Sequence, residues 1–299
     1  MKKASLVAGA LVHLAIACPA FAGDEPDANG VAVPAMGVAD PATAGAPEAV
    51  DTAEPVSVTE VAKPAAPGVT LKKGAINVQL AFEANLSKDA VIKPFSIAPD
   101  VAYGVTPELT VSVVHSGYAM TGFRGSAGAG LCVAGEENGC LKVYNAVGLE
   151  GLYGLLAGPL SLGANVGLHA RSLSDPFIGA VKLGLKGKYT AGATSVVFLP
   201  SINVAVTERE TAPDRLWLPV GLLYKVAPPV TLGLGAGVKV LDLGAAGDTW
   251  QLAVGLNGQY ALNPEVVLGA AFTFGAITGG GDPPELDGRF LQCWVGYTM

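Results

Sequence analysis

From Ala75 onward, apolar and polar residues alternate. Ile76, Val78, Leu80, Phe82, Ala84 and Leu86 share one parity, with Asn77, Gln79, Ala81, Glu83 and Asn85 between them. Successive side chains of an extended chain point to opposite faces, so this segment reads as a strand with one apolar and one wet side. The same period recurs over Leu160–Leu168, Val181–Tyr189, Leu216–Tyr224, Val230–Val238 and Trp250–Tyr260. It predicts twelve strands, near residues 75–86, 95–105, 109–116, 141–156, 160–171, 178–190, 195–207, 214–226, 230–241, 249–261, 266–277 and 289–299. Each has about the length that a tilted strand needs to cross a bilayer. Pro99, Pro200 and Pro219 fall inside these strands. Each removes a ladder donor, so bulges or strand ends are expected there.

The connections alternate in length. Five are short, at 106–108, 157–159, 191–194, 227–229 and 262–265; six are generally longer and more polar, near 87–94, 117–140, 172–177, 208–213, 242–248 and 278–288. An all-β, antiparallel up-and-down transmembrane barrel with both termini in the periplasm has this arrangement, its longer loops facing outside the cell. Tyrosine placement agrees. Tyr103, Tyr153, Tyr189, Tyr224, Tyr260 and Tyr297 are spaced by 50, 36, 35, 36 and 37 residues; the first five precede short turns and the sixth lies two residues from the C-terminus. An amphipathic ring is favoured where hydrocarbon meets headgroup, so all six are expected at the membrane interface, facing lipid.

Composition supports strands with a lipid-facing side and a lumen of small residues: 51% hydrophobic, 14% charged, with 40 glycines. The first residues read separately. Lys2 and Lys3 precede a mostly apolar run, Ala4–Ala17, and Ala20-Phe21-Ala22 forms a cleavage site. Residues 1–22 are therefore expected to be a signal peptide, with Ala15-Ile16-Ala17-Cys18 as a poorly formed lipobox alternative. Residues 23–70 hold eight acids, one lysine and seven prolines, with no aromatic residue. They predict a disordered, acidic, Ala/Pro-rich periplasmic segment. A solvated spacer, a tether toward the cell wall and a segment folding back into the lumen all remain open. The barrel takes 71–299 and is nearly neutral, with 17 acids and 15 bases. There is no basic patch to suggest nucleic acid.

The last strand, Arg289 to Met299, resembles the C-terminal strand of bacterial outer-membrane β-barrel proteins. Leu291, Cys293, Val295 and Tyr297 match that family's alternating pattern, and Met299 stands where the family usually has an aromatic residue. Tyr103 to Thr110 also resembles a periplasmic hairpin of the family. The resemblance implies a porin-like architecture in a Gram-negative-type outer membrane, with membrane lipid as a partner. It also implies assembly through the last strand by the barrel-assembly machinery. It names no substrate.

Catalytic signals are weak. His115 and Ser116 are adjacent and so project to opposite faces of a strand. His169, inward beside Arg171, reads as a polar lumen residue. Gly233-x-Gly235-x-Gly237 is strand packing, and Thr278-Gly279-Gly280-Gly281 precedes no helix, so neither is a phosphate loop. No enzyme activity, cofactor or metal is expected. Cys132 and Cys140 bracket a Gly- and Glu-rich loop and predict a disulfide in an oxidising compartment; Cys293 reads as a lipid-facing hydrophobe.

The suggestive feature is the inward parity of Arg171, Lys182, Lys186, Lys188, Lys225 and Lys239, against the fewer acids Glu83, Asp100 and Glu150. A positive lumen raises the local concentration of anions. The expected function is a passive channel or transporter for small solutes, anion-preferring; the alternative is a structural or surface-interaction barrel with a closed lumen.

Overall fold

The computed structural model describes residues 68–87, 95–115, 131–134, 146–173, 175–280 and 288–299, with 131–134 described by backbone alone. The expected signal peptide, and all but the last three residues of the acidic segment, lie outside this set. The strands are β1 Ile76–Asn85, β2 Phe95–Gly104, β3 Leu109–Val114, β4 Leu131–Ala134, β5 Val147–Leu156, β6 Leu160–Ser172 and β7 Ile178–Ala191. They continue with β8 Thr194–Phe198, β9 Ser201–Ala205, β10 Arg215–Ala227, β11 Val230–Val240, β12 Trp250–Ala261, β13 Val266–Gly279 and β14 Arg289–Thr298.

Every pairing is antiparallel, and β1 pairs with both β2 and β14, which closes the sheet. Two of the twelve barrel positions are filled by two pieces each. β8 and β9 lie end to end between β7 and β10. β3 and β4 occupy successive stretches beside β2. A ring leaves no edge; among the described residues every strand but β4, which pairs with β2, has partners on both sides, as a hydrocarbon surround favours.

The chain is apolar outside and polar inside. Leu168 and Leu256 stand on the outer face with 64% and 63% exposure, whereas Gln79, Ser96, Asn203, Thr273 and Gln292 are almost fully buried in the interior. This reverses the soluble pattern and matches a strand with one face to lipid. All six aligned tyrosines are exposed on the outer face. They sit at the end where the five short turns lie, called the turn end here; the opposite end carries the longer connections.

Two details correct the expected strand plan. Pro99 and Pro219 stay within continuous strands, in register with Leu80 and Gly237. Only Pro200 ends one, and it separates β8 from β9. The reason lies in where the missing donor points. The Pro99 carbonyl faces His115 across the gap between β3 and β4, and the Pro219 carbonyl accepts from Leu199 N at the β8–β9 break. In an extended residue the N and C=O point the same way, so each proline turns its empty N toward a place where the ladder is already interrupted. Bulges occur elsewhere, as between Gly154 and Leu156 and between Leu252 and Val254. Secondly, β4 lies inside the stretch expected to be a loop.

The expected Cys132–Cys140 disulfide involves residues whose side chains lie outside the described set. Cys293 sits on the outer parity, in register with Phe82 and Ala270, as the sequence suggests.

Candidate functional site: the barrel interior

The interior is built by the inward parity of each strand, and it divides into a charged belt and an apolar floor. The belt centres on Glu150 of β5. Its Oε1 accepts from Lys182 Nζ at 2.7 Å and lies 3.0 Å from His169 Nε2. Its Oε2 accepts from Asn165 Nδ2 at 3.0 Å. Register explains the meeting: Glu150, Gly167 and Lys182 are directly opposite one another on β5, β6 and β7. Because Gly167 has no side chain, the two long ones reach over it. A Cβ at Gly167 would lie 3.0 Å from Glu150 Cγ, and one at Gly148 would lie 2.3 Å from the His169 ring. Buried charges are tolerated only when paired and hydrogen-bonded, and this cluster meets that condition.

Elsewhere the inward acids also have partners. Glu83 Oε2 accepts from Gln292 Nε2 at 2.6 Å, on a shared rung of β1 and β14. Asp100 Oδ1 accepts from the backbone N of His115 at 2.6 Å, while the His115 ring contacts the Pro99 carbonyl. These contacts tie His115 to the wall gap beside β2.

The expected lumen cations separate into four groups. Lys182 faces Glu150. Lys186, Lys188 and Lys239 are half-buried on the inward parity of β7 and β11. Arg171 donates to the Pro213 carbonyl at 2.9 Å, which turns it toward the loop following β9. Lys225 is a correction: it shares the inward parity yet is exposed at the turn-end rim, one residue beyond Tyr224. The sequence reading passed over Arg215. It lies across from Asn203, which lies across from Lys182, and its parity, shared with Lys225, was the available signal.

The floor sits toward the turn end, at the same depth as Glu150: Trp294 lies three residues before Tyr297, and Glu150 three residues before Tyr153. Trp294, Leu223, Val197, Ala81, Ala98 and Ala271 form one buried cluster, with Val267 and Leu268 packed against it. Trp294 has 0% exposure. Its rung neighbours are Ala81 and Gly269, and a Cβ at Gly269 would lie 2.7 Å from its ring. Small neighbours on both sides therefore give the indole its space. Leu223 and Leu152 each immediately precede a ring tyrosine, Tyr224 and Tyr153.

A strap of the chain completes this end. Thr70 Oγ1 donates to the Pro107 carbonyl at 2.7 Å, Leu71 N to Thr110 Oγ1 at 2.8 Å and Gly74 N to the Gly104 carbonyl at 2.7 Å. Val69, 6% exposed, sits where Gly163 has no side chain: a Cβ there would be 2.8 Å from Val69 and 2.9 Å from Leu152. Of the three roles open for residues 23–70, the last three residues thus turn into the mouth.

No family model matches the chain, and no curated protein matches it in sequence. Solved structures do resemble it. The KdgM porin aligns with 74% of this chain and 98% of its own, at 9% identity and a TM-score of 0.50. The NanC porin aligns with 75% and 98%, at 9% identity and a TM-score of 0.49. An outer-membrane channel from Pseudomonas putida F1 aligns with 77% and 97%, at 12% identity and 0.49. At such identity the likeness concerns architecture: the fold is that of the outer-membrane porin-like β-barrels.

Proposed function

We propose that the protein is an outer-membrane pore for small solutes. The observation that carries this is a closed barrel of membrane-spanning length whose interior is polar and charged where its exterior is apolar. A barrel of twelve positions encloses more space than the filled eight-stranded barrels and less than the wide porins. The architectural neighbour carries the name porin, which agrees with the reading.

Anion preference is the finer part of the proposal. Lys182 is balanced by Glu150, and Arg171 is turned toward a loop. What supports the preference is the gathering of Lys186, Lys188, Lys239 and Arg215 on the β7–β11 side of the interior, where low-dielectric walls strengthen the field of charged groups. In this reading residues 1–22 are removed, both chain ends lie in the periplasm with the tyrosine ring, and β14 carries the signal for barrel assembly. Residues 23–67 lead to the strap from the periplasmic side, within reach of the cell wall.

The test is planar-bilayer conductance and reversal potential of the refolded protein starting at Gly23. Steady current with an anion-selective reversal potential supports both parts. Steady current without selectivity removes the anion preference. One observation favours a second reading, a structural barrel with a closed lumen: the apolar floor around the fully buried Trp294. Silence from well-folded protein in every variant favours that reading.

A further inference from the structure

We infer that the apolar floor is the barrier to passage through this barrel, and that Trp294 is the residue that sets it; this rests on the pore reading. Three observations lead there. The floor joins different parts of the wall: Trp294 and Ala271 come from β14 and β13, whereas Leu223 and Val197 come from β10 and β8, and all belong to one buried cluster. The seat of the indole is specific, because Gly269 and Ala81 flank it and any side chain at Gly269 would overlap the ring. The indole fills that seat completely, with 0% exposure.

An apolar constriction resists ions by excluding water as well as by its width. Ions that enter therefore meet a cluster whose apolar side chains cannot replace their hydration. Lys188 lies directly across from Val197 of that cluster, so charge and apolar packing share this depth, and Trp294 sets how many ions cross.

The experiment compares single-channel conductance in potassium chloride for the parent chain from Gly23 and for Trp294→Ala, Trp294→Phe and Leu223→Ala. Leu222→Ala, on the outer face, serves as control. Folding of each variant is checked by heat-modifiable electrophoretic mobility and by circular dichroism. Trp294→Ala is expected to raise conductance by about threefold or more, since the constriction can then hold water. Trp294→Phe should stay near the parent, Leu223→Ala should fall between, and the sign of the reversal potential should not change. Current from Trp294→Ala in a background where the parent is silent supports the inference equally. A conducting parent with an unchanged Trp294→Ala overturns the floor as barrier and leaves the pore intact. Silence from every folded variant overturns both.

Discussion

The charged belt and the apolar floor share one construction and differ in what fills it. In each, a glycine on one strand clears the space that a large side chain from its neighbour occupies: Gly167 and Gly148 for Glu150 and His169, Gly269 for Trp294, Gly163 for Val69. In the belt the occupants are ions held by one another. In the floor they are apolar groups held by contact alone. The difference teaches that one device, a glycine opposite a large side chain, serves buried ions and buried hydrocarbon alike: the ions need a partner within hydrogen-bond reach, whereas the apolar groups need only a fitted space.

The comparison breaks most severely at Glu150. Removing its carboxylate by Glu150→Ala leaves Lys182 and His169 inside without their acceptor, a loss of about 3–5 kcal/mol. Guanidinium unfolding from lipid vesicles should show it, and Lys182→Met in the same chain should recover most of the loss. A single variant as stable as the parent would mean that water already serves the lysine.

The floor should respond less. Gly269→Ala forces the indole from its seat, with a cost of about 1–3 kcal/mol from overpacking. The same unfolding assay reads it, and tryptophan emission should shift to the red as the ring moves toward water. Smaller again is Val69→Ala, which removes two carbons from a buried site and weakens the strap by about 1–2 kcal/mol. Lys72 and Lys73 are exposed in that strap, so trypsin should cut there faster in the variant; equal cleavage rates would show that the hydrogen bonds alone hold it.

The smallest effect sharpens the belt. Lys225→Gln, at the exposed rim, should leave the reversal potential near the parent value, because solvent screens a charge there. Lys186→Gln should move it toward cation preference. The reverse order would place the selective charge at the mouth instead of the interior.

Much of this architecture is legible from alternation alone. The strand parities assign Glu83, Glu150 and Lys182 to the interior, and the tyrosine spacing marks one rim. Pairing across the lumen is not legible in that way. That Glu150 meets Lys182 depends on register between strands 32 residues apart in the chain, and on a glycine between them whose role is only to be small. Trp294 escaped notice for a related reason: its inward parity was visible, but its partners Leu223 and Val197 lie on strands distant in sequence. Lys225 shows the limit of parity itself, which gives the side of a wall but not the depth along it. The strap was legible only as one of several possibilities, because Gly68 to Gly74 has no periodicity.

The interruptions of the ladder beside Pro99 and beside Pro219 give the cylinder a direction of compliance. A hoop of hydrogen bonds resists squashing only where it is continuous; at a missing rung, bending meets less opposition. The first seam lies between β2 and the β3–β4 gap, and the second between β10 and the β8–β9 break. Lateral pressure from the bilayer should therefore ovalise this barrel about those seams in preference to compressing it evenly. Amides along them should exchange with deuterium sooner than those of the unbroken β11–β12 pair.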